Sequence, residues 1–166
     1  MIIDSHAHIY PDKIAHKAAR SIGDFYDIDM DLDGTVDMLL KVGDEAGVDK
    51  FLVHSVATTP HQVRSINSFI AKSVSEHPDR FIGFATLHPD CGDEIPEIVD
   101  EAISLGLDGI KLHPDFQKFD IDSPKAMRMY EVLEGRLPIL FHTGDYRTQY
   151  SKPTKIIKVL ERFPKL

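Results

Sequence analysis

Ile3-Asp4-Ser5-His6-Ala7-His8 continues the first apolar run of the chain, Met1–Ile3, and sets two histidines two residues apart. In an extended strand, residues i and i+2 point to the same side, so both imidazoles can face one centre and chelate one ion. Asp4 has the same parity one step deeper, where a carboxylate can hold an imidazole in the tautomer a metal needs. Working outward, four more short apolar runs recur at Phe51–Val53, Phe81–Ala85, Ile110–Leu112 and Ile139–Phe141. They show little polar alternation, as in parallel strands covered on both faces. Six of the nine histidines, His6, His8, His54, His88, His113 and His142, fall at or just beyond the C-terminal ends of these runs. In a parallel barrel those ends converge on one face, where active sites are built. A doubly wound sheet would show the same periodicity, and it is this placement of histidines that favours the barrel.

Helical patterns fill the intervals. Val36, Leu39, Leu40 and Gly43 share a face, as do Val63, Ile66, Ile70 and Val74, which come after the capping box Thr59-Pro60-His61-Gln62. A third stripe, Ile95, Ile98, Val99, Ala102 and Ile103, ends at Gly106. A fourth helix starts at Ser123-Pro124, buries Met127, Tyr130 and Leu133, and stops at Gly135. A fifth carries Ile156, Ile157, Leu160 and Phe163 and halts at Pro164. Strand and helix thus alternate five times, at an interval close to one eighth of a ~250-residue barrel. The expected architecture is an α/β, TIM (β/α)₈ barrel, of which residues 1–166 supply the first five β/α units as a single domain, C-terminally incomplete. Five parallel strands do not close a barrel built for eight, so an apolar surface is expected at the open edges. Residues 9–32, with Tyr10, Arg20, Phe25 and Tyr26, interrupt the pattern as either a lid or a peripheral helix.

With 42% hydrophobic and 28% charged residues, the chain has a real core and no disordered stretch. A net charge of −8 argues against nucleic acid or an anionic membrane as partner. Cys91, the single cysteine, allows no intrachain disulfide and no cysteine-based zinc site, which fits a reducing cytosol. No apolar run approaches the roughly 20 residues of a membrane span, and the N-terminus lacks the basic region of a signal peptide. A cytoplasmic protein is expected, with a small-molecule substrate and, at most, further copies of itself as partners.

Phe141-His142-Thr143 ends the fifth run, and His142 can supply a third nitrogen to His6 and His8. A catalytic zinc asks for three protein ligands and an open position, so these residues meet the minimum, with Zn²⁺ the ion imidazoles favour. Leu87-His88-Pro89-Asp90 and Leu112-His113-Pro114-Asp115 are near repeats in which proline keeps each histidine extended. Strand termination accounts for His88 and His54, whereas His113 is a candidate contact to substrate or to a metal ligand. His16, His61 and His77 are expected in solvent. Arg147, beyond the fifth strand, is either a carboxylate contact or a surface arginine.

These residues in this order resemble the amidohydrolase-related branch of the amidohydrolase superfamily, which includes aminocarboxymuconate-semialdehyde decarboxylase. The resemblance is carried by Ile3-Asp4-Ser5-His6-Ala7-His8, Arg80-Phe81-Ile82-Gly83-Phe84, Gly109-Ile110-Lys111-Leu112-His113-Pro114 and Phe141-His142-Thr143. It implies that His6, His8 and His142 are metal ligands. It also implies a sixth-strand histidine and an eighth-strand aspartate, the general base, lying beyond Leu166. For Lys111 the family offers carbamylation between two metals. A substrate-anion contact and a structural ion pair are the other readings. The implied activity is metal-assisted hydrolysis of a small carboxylate-bearing amide, ester or lactone. Non-oxidative decarboxylation or hydration on the same scaffold is the alternative. A TatD-type nuclease fits less well, because Gly109-Ile110-Lys111-Leu112-His113 stands where that group carries a glutamate. An inactive barrel fragment is the non-enzyme reading.

Overall fold

The computed structural model describes residues 1–166. Five strands form one sheet in sequential order, every neighbouring pair parallel. They are β1 (Ile3–His8), β2 (Lys50–His54), β3 (Phe81–Thr86), β4 (Gly109–Leu112) and β5 (Ile139–Phe141). The helices are α1 (Asp12–Tyr26), α2 (Val36–Ala46), α3 (Val63–Glu76), α4 (Ile95–Ser104), the short α5 (Pro114–Gln117), α6 (Pro124–Leu133) and α7 (Thr154–Arg162). β1 and β5 are opposite edges of the sheet, yet His6 and His8 from one and His142 from the other line the same cavity. The sheet is therefore curled into part of a barrel.

Strand alternation separates the two faces. Phe51, Val53, Phe81, Ala85, Ile110 and Leu112 belong to the apolar core with Ile70, Ile98, Val99, Ala102, Met129, Tyr130 and Leu133 of the helices. Gly43 on α2 leaves room for a side chain of the sheet: a Cβ there would run into the ring of Phe51. Gly43→Ala is expected to destabilise the chain by about 1–3 kcal/mol, the usual cost of overpacking a filled core. A denaturation midpoint unchanged from that of the parent would contradict this packing.

Caps fall at Thr59 and Ser123, where the sequence places them, and Thr35 supplies a further one. Thr35 and Ser123 accept the Met38 and Ala126 backbone N–H groups at 3.3 Å each. Gln62 Oε1 accepts the Thr59 N–H at 3.2 Å. Two features, in β1 and α7, differ from expectation, while the long connection, read as a lid or a peripheral helix, does contain a helix. β1 extends beyond the apolar run to His8. Residues 12–26 of the long connection form a helix that buries only Ala15, Ala19 and Gly23. On α7, Val159 rather than Ile157 or Leu160 is the buried residue; those two are 57% and 51% exposed. Met1 and Ile2, beside β1, are 91% and 57% exposed.

Candidate metal centre

The register of β1 against β2 builds the first half of the site. His8 is level with His54, and parallel neighbours in register share a face. The His8 and His54 rings lie 4.4 Å apart, the His6 and His54 rings 4.7 Å. His6 Nε2 and His8 Nε2 approach to 3.3 Å. His54 is fully buried, and neither of its ring nitrogens has a hydrogen-bond partner. One ligand atom from each of the three imidazoles falls within 4.8 Å of the others. The Tyr10 hydroxyl meets His8 Nδ1 at 3.2 Å, the outer contact that fixes a ligand's orientation.

β4 and β5 supply the second half. His113, Asp115 and His142 also bring ligand atoms within 4.8 Å of one another. The His113 ring is stacked between Phe116, at 3.8 Å, and His142, at 3.9 Å. Tyr26, the last residue of α1, places its hydroxyl 3.0 Å from both His113 Nε2 and His142 Nε2. Asp115 accepts a bond from the Thr148 hydroxyl, and its other carboxylate oxygen is buried without a partner. His6, His8, Tyr10, Tyr26, His113 and His142 share one cavity of about 380 Å³.

Lys111 is fully buried, and its Nζ has no hydrogen-bond partner. Burial lowers its pKa from 10.5 to about 8. Burial likewise holds the imidazoles below their ordinary range: His8 at about 3, His113 at about 2, and His6, His54 and His142 lowered as well. The Lys111 charge adds to the lowering at all five. They are thus neutral at pH 7, the form that binds metal. Neutral imidazoles with converging nitrogens and an unpartnered His54 suit a divalent ion.

The residues singled out from the sequence are not all brought together in this geometry. His142 does not join His6 and His8 in one tight triad; it faces the same cavity from the other side, beside His113 and Asp115. Asp4 does not reach an imidazole: its carboxylate accepts the His6 backbone N–H at 2.9 Å. The cause is a bulge, in which three steps of β1 from Asp4 to Ala7 match two of β2, leaving Asp4 level with outward-facing Phe51. Lys111 has no carboxylate partner, so the ion-pair reading fails. Arg147 is committed elsewhere. Its guanidinium binds Asp145 at 2.7 Å, donates to the Phe25 carbonyl and lies 4.4 Å from the Phe25 ring. His88 accepts the Asp90 N–H at 3.1 Å, the local role expected of a strand terminator. His54, expected to do the same, is instead bare among the ligands. Tyr10, Tyr26, His54 and Asp115 join the candidate site; the sequence places Tyr10 and Tyr26 in the long connection and His54 at a strand end without giving any of them a role there. For Tyr10 a signal exists, since it continues the i, i+2 series from His6 and His8.

Parallel strands in sequential order, with imidazoles gathered at their C-terminal ends, form part of an α/β barrel that carries a candidate metal site. The chain belongs to the amidohydrolase family, whose sequence pattern matches residues 3–166. It is 34% identical over 70 residues to 2-amino-3-carboxymuconate-6-semialdehyde decarboxylase of Dictyostelium discoideum, covering 42% of this chain and 20% of that protein. Its fold is similar to 5-carboxyvanillate decarboxylase from Sphingomonas paucimobilis, with a TM-score of 0.73 and 19% identity over 99% of this chain and 65% of the other. It is also similar to 5-carboxyvanillate decarboxylase from Novosphingobium aromaticivorans, solved with bound manganese. There the TM-score is 0.65 and the identity 18%, over 100% of this chain and 56% of the other. The chain therefore spans less than two thirds of the length of these relatives.

Proposed function

We propose that the protein is a metal-dependent lyase that removes CO₂ from a small, unsaturated or aromatic carboxylic acid. The observation that carries this reading is the unpartnered Lys111 ammonium amid neutral imidazoles. A buried cation without a counter-charge favours an anion, and a substrate carboxylate would complete it. The named relatives are decarboxylases, which supports carbon–carbon cleavage over the hydrolysis expected from sequence.

His6, His8 and His142 would hold a divalent ion, with His54 the further candidate. Zn²⁺ is the first choice for imidazole ligands, and Mn²⁺ the second, as the ion bound in the similar 5-carboxyvanillate decarboxylase. When bound, the ion supplies a Lewis acid for a substrate oxygen. Lys111 neutralises the carboxylate, Tyr10 orients His8, and α1 shields the cavity from water. The carbon–carboxylate bond breaks, its electron pair stays on carbon, and a proton takes the place of the departing CO₂. A reducing cytosol suits the buried free thiol of Cys91.

Incubating the protein with Zn²⁺ or Mn²⁺ and a panel of aromatic and unsaturated acids, esters and lactones tests the assignment. CO₂ release from an acid is expected. Ester or lactone opening without CO₂ would return the assignment to hydrolysis.

A further inference from the structure

We propose that His113 is a fixed hydrogen-bond donor to a substrate oxygen and not a metal ligand, although it lies within ligand distance of Asp115 and His142. The bonds around its ring give the direction of each proton. His113 Nδ1 accepts the backbone N–H of Phe116 at 3.3 Å. A ring nitrogen that accepts an N–H carries no proton, so in the neutral ring the proton sits on Nε2. His113 Nε2–H therefore donates to the Tyr26 oxygen at 3.0 Å. The Tyr26 hydroxyl then spends its own proton on His142 Nε2, also at 3.0 Å. The chain of bonds runs one way, from Phe116 through His113 and Tyr26 to His142.

The two histidines are thereby made different. His142 offers a lone pair at Nε2, now used by a phenol, which an ion can take. His113 offers no lone pair at the same atom, since ligation there would require an imidazolate or the loss of the Phe116 bond. Its ring is also held in place: stacked between Phe116 and His142, with its backbone N–H on Gln117 Oε1 at 2.8 Å. An ion on the His142 lone pair would remove the acceptor of the Tyr26 proton and crowd the hydroxyl out of the gap between the two imidazoles. The His113 N–H then faces the cavity without a partner, and a buried donor left unpaired is costly. The oxygen that replaces the phenol is the substrate's, and Tyr26 marks where it sits. Only the identity of that oxygen, a carboxylate's, rests on the proposed function.

Two measurements decide the matter. Long-range ¹H–¹⁵N spectra of the chain should show His113 as the Nε2–H tautomer both before and after Zn²⁺ is added, with the Zn²⁺-induced shift confined, of the two, to His142. Loss of the Nε2 proton of His113 with Zn²⁺ would overturn the proposal. Second, His113→Phe keeps the stack and removes the donor. It should bind as much Zn²⁺ as the parent while its affinity for benzoate falls about tenfold to hundredfold, as for a bond to a charged group. His113→Gln, which restores an N–H at similar reach, should recover part of that loss. Depleted Zn²⁺ in both variants, or benzoate affinity equal to the parent's in His113→Phe, would contradict the assignment. Failure of the parent chain to bind benzoate would sink the carboxylate reading. The tautomer spectra would still show whether His113 is donor or ligand.

Discussion

His142→Ala is expected to leave the protein nearly free of metal under conditions that load the parent with one ion per chain. Removing even an outer-shell partner of a metal ligand costs about 10–100-fold in affinity, and removing a ligand should cost more. His142 is the last histidine of the sequence, so no second imidazole follows β5 to replace it. His6→Ala should behave in the same way, since it breaks the pair that approaches to 3.3 Å on β1. His77→Ala is the control: that ring packs on Phe81 at the end of α3, outside the cavity. Elemental analysis of the purified variants reads the result directly. Equal metal in all three would remove the basis for the centre. Metal retained in His142→Ala but lost in His54→Ala would transfer the third position to β2.

The second large effect is on stability. Lys111 keeps an ammonium fully buried, with a pKa brought down from 10.5 to about 8. The unfolded chain binds this proton more tightly than the folded one. Below pH 8 the folded state therefore carries the whole penalty, about 3 kcal/mol by linkage. Between pH 8 and 10.5 the unfolded chain holds the proton that the folded chain has released, so the penalty shrinks as pH rises and vanishes above that window. Lys111→Met, which fills the same space without charge, should raise the stability of the metal-free chain by a comparable amount at pH 7. The gain should diminish at pH 10. Substrate turnover should be lost in the same variant, because the counter-charge for the carboxylate is gone. Urea unfolding at the two pH values checks the claim, and a Lys111→Met midpoint at or below that of the parent at pH 7 would refute it.

Much of the fold is legible in the sequence because four of the five strands are short apolar runs and their caps use the expected residues. β1 is harder to bound because its inward side chains are imidazoles, which hydropathy does not score as core. α1 is hard to see for the opposite reason: its buried stripe is Ala15, Ala19 and Gly23, too small to mark a helical face. Parity arguments work for His6 and His8 and fail for Asp4, since a bulge leaves no trace in residue type. His54, His88 and His113 look alike in sequence, each a histidine at a strand end. The next turn of chain separates them: His88 and His113 meet backbone N–H groups at its start, while His54 meets none. Tyr26 acts on residues 87 and 116 positions away, a distance over which local pattern carries no information.

Those separations also bear on the order of events as the chain folds. The bond from Arg147 to the Phe25 carbonyl spans 122 residues, and that from Tyr26 to His142 spans 116. Contacts so distant along the chain form late, after the local strand–helix units have closed their own loops. Until then, His6 and His8 lie on one unit and His142 on another, so an ion would meet the imidazoles of β1 and β2 without that of β5. Metal uptake that depends on His142 would thus time the last docking step, when the end of α1 reaches the turn after β5.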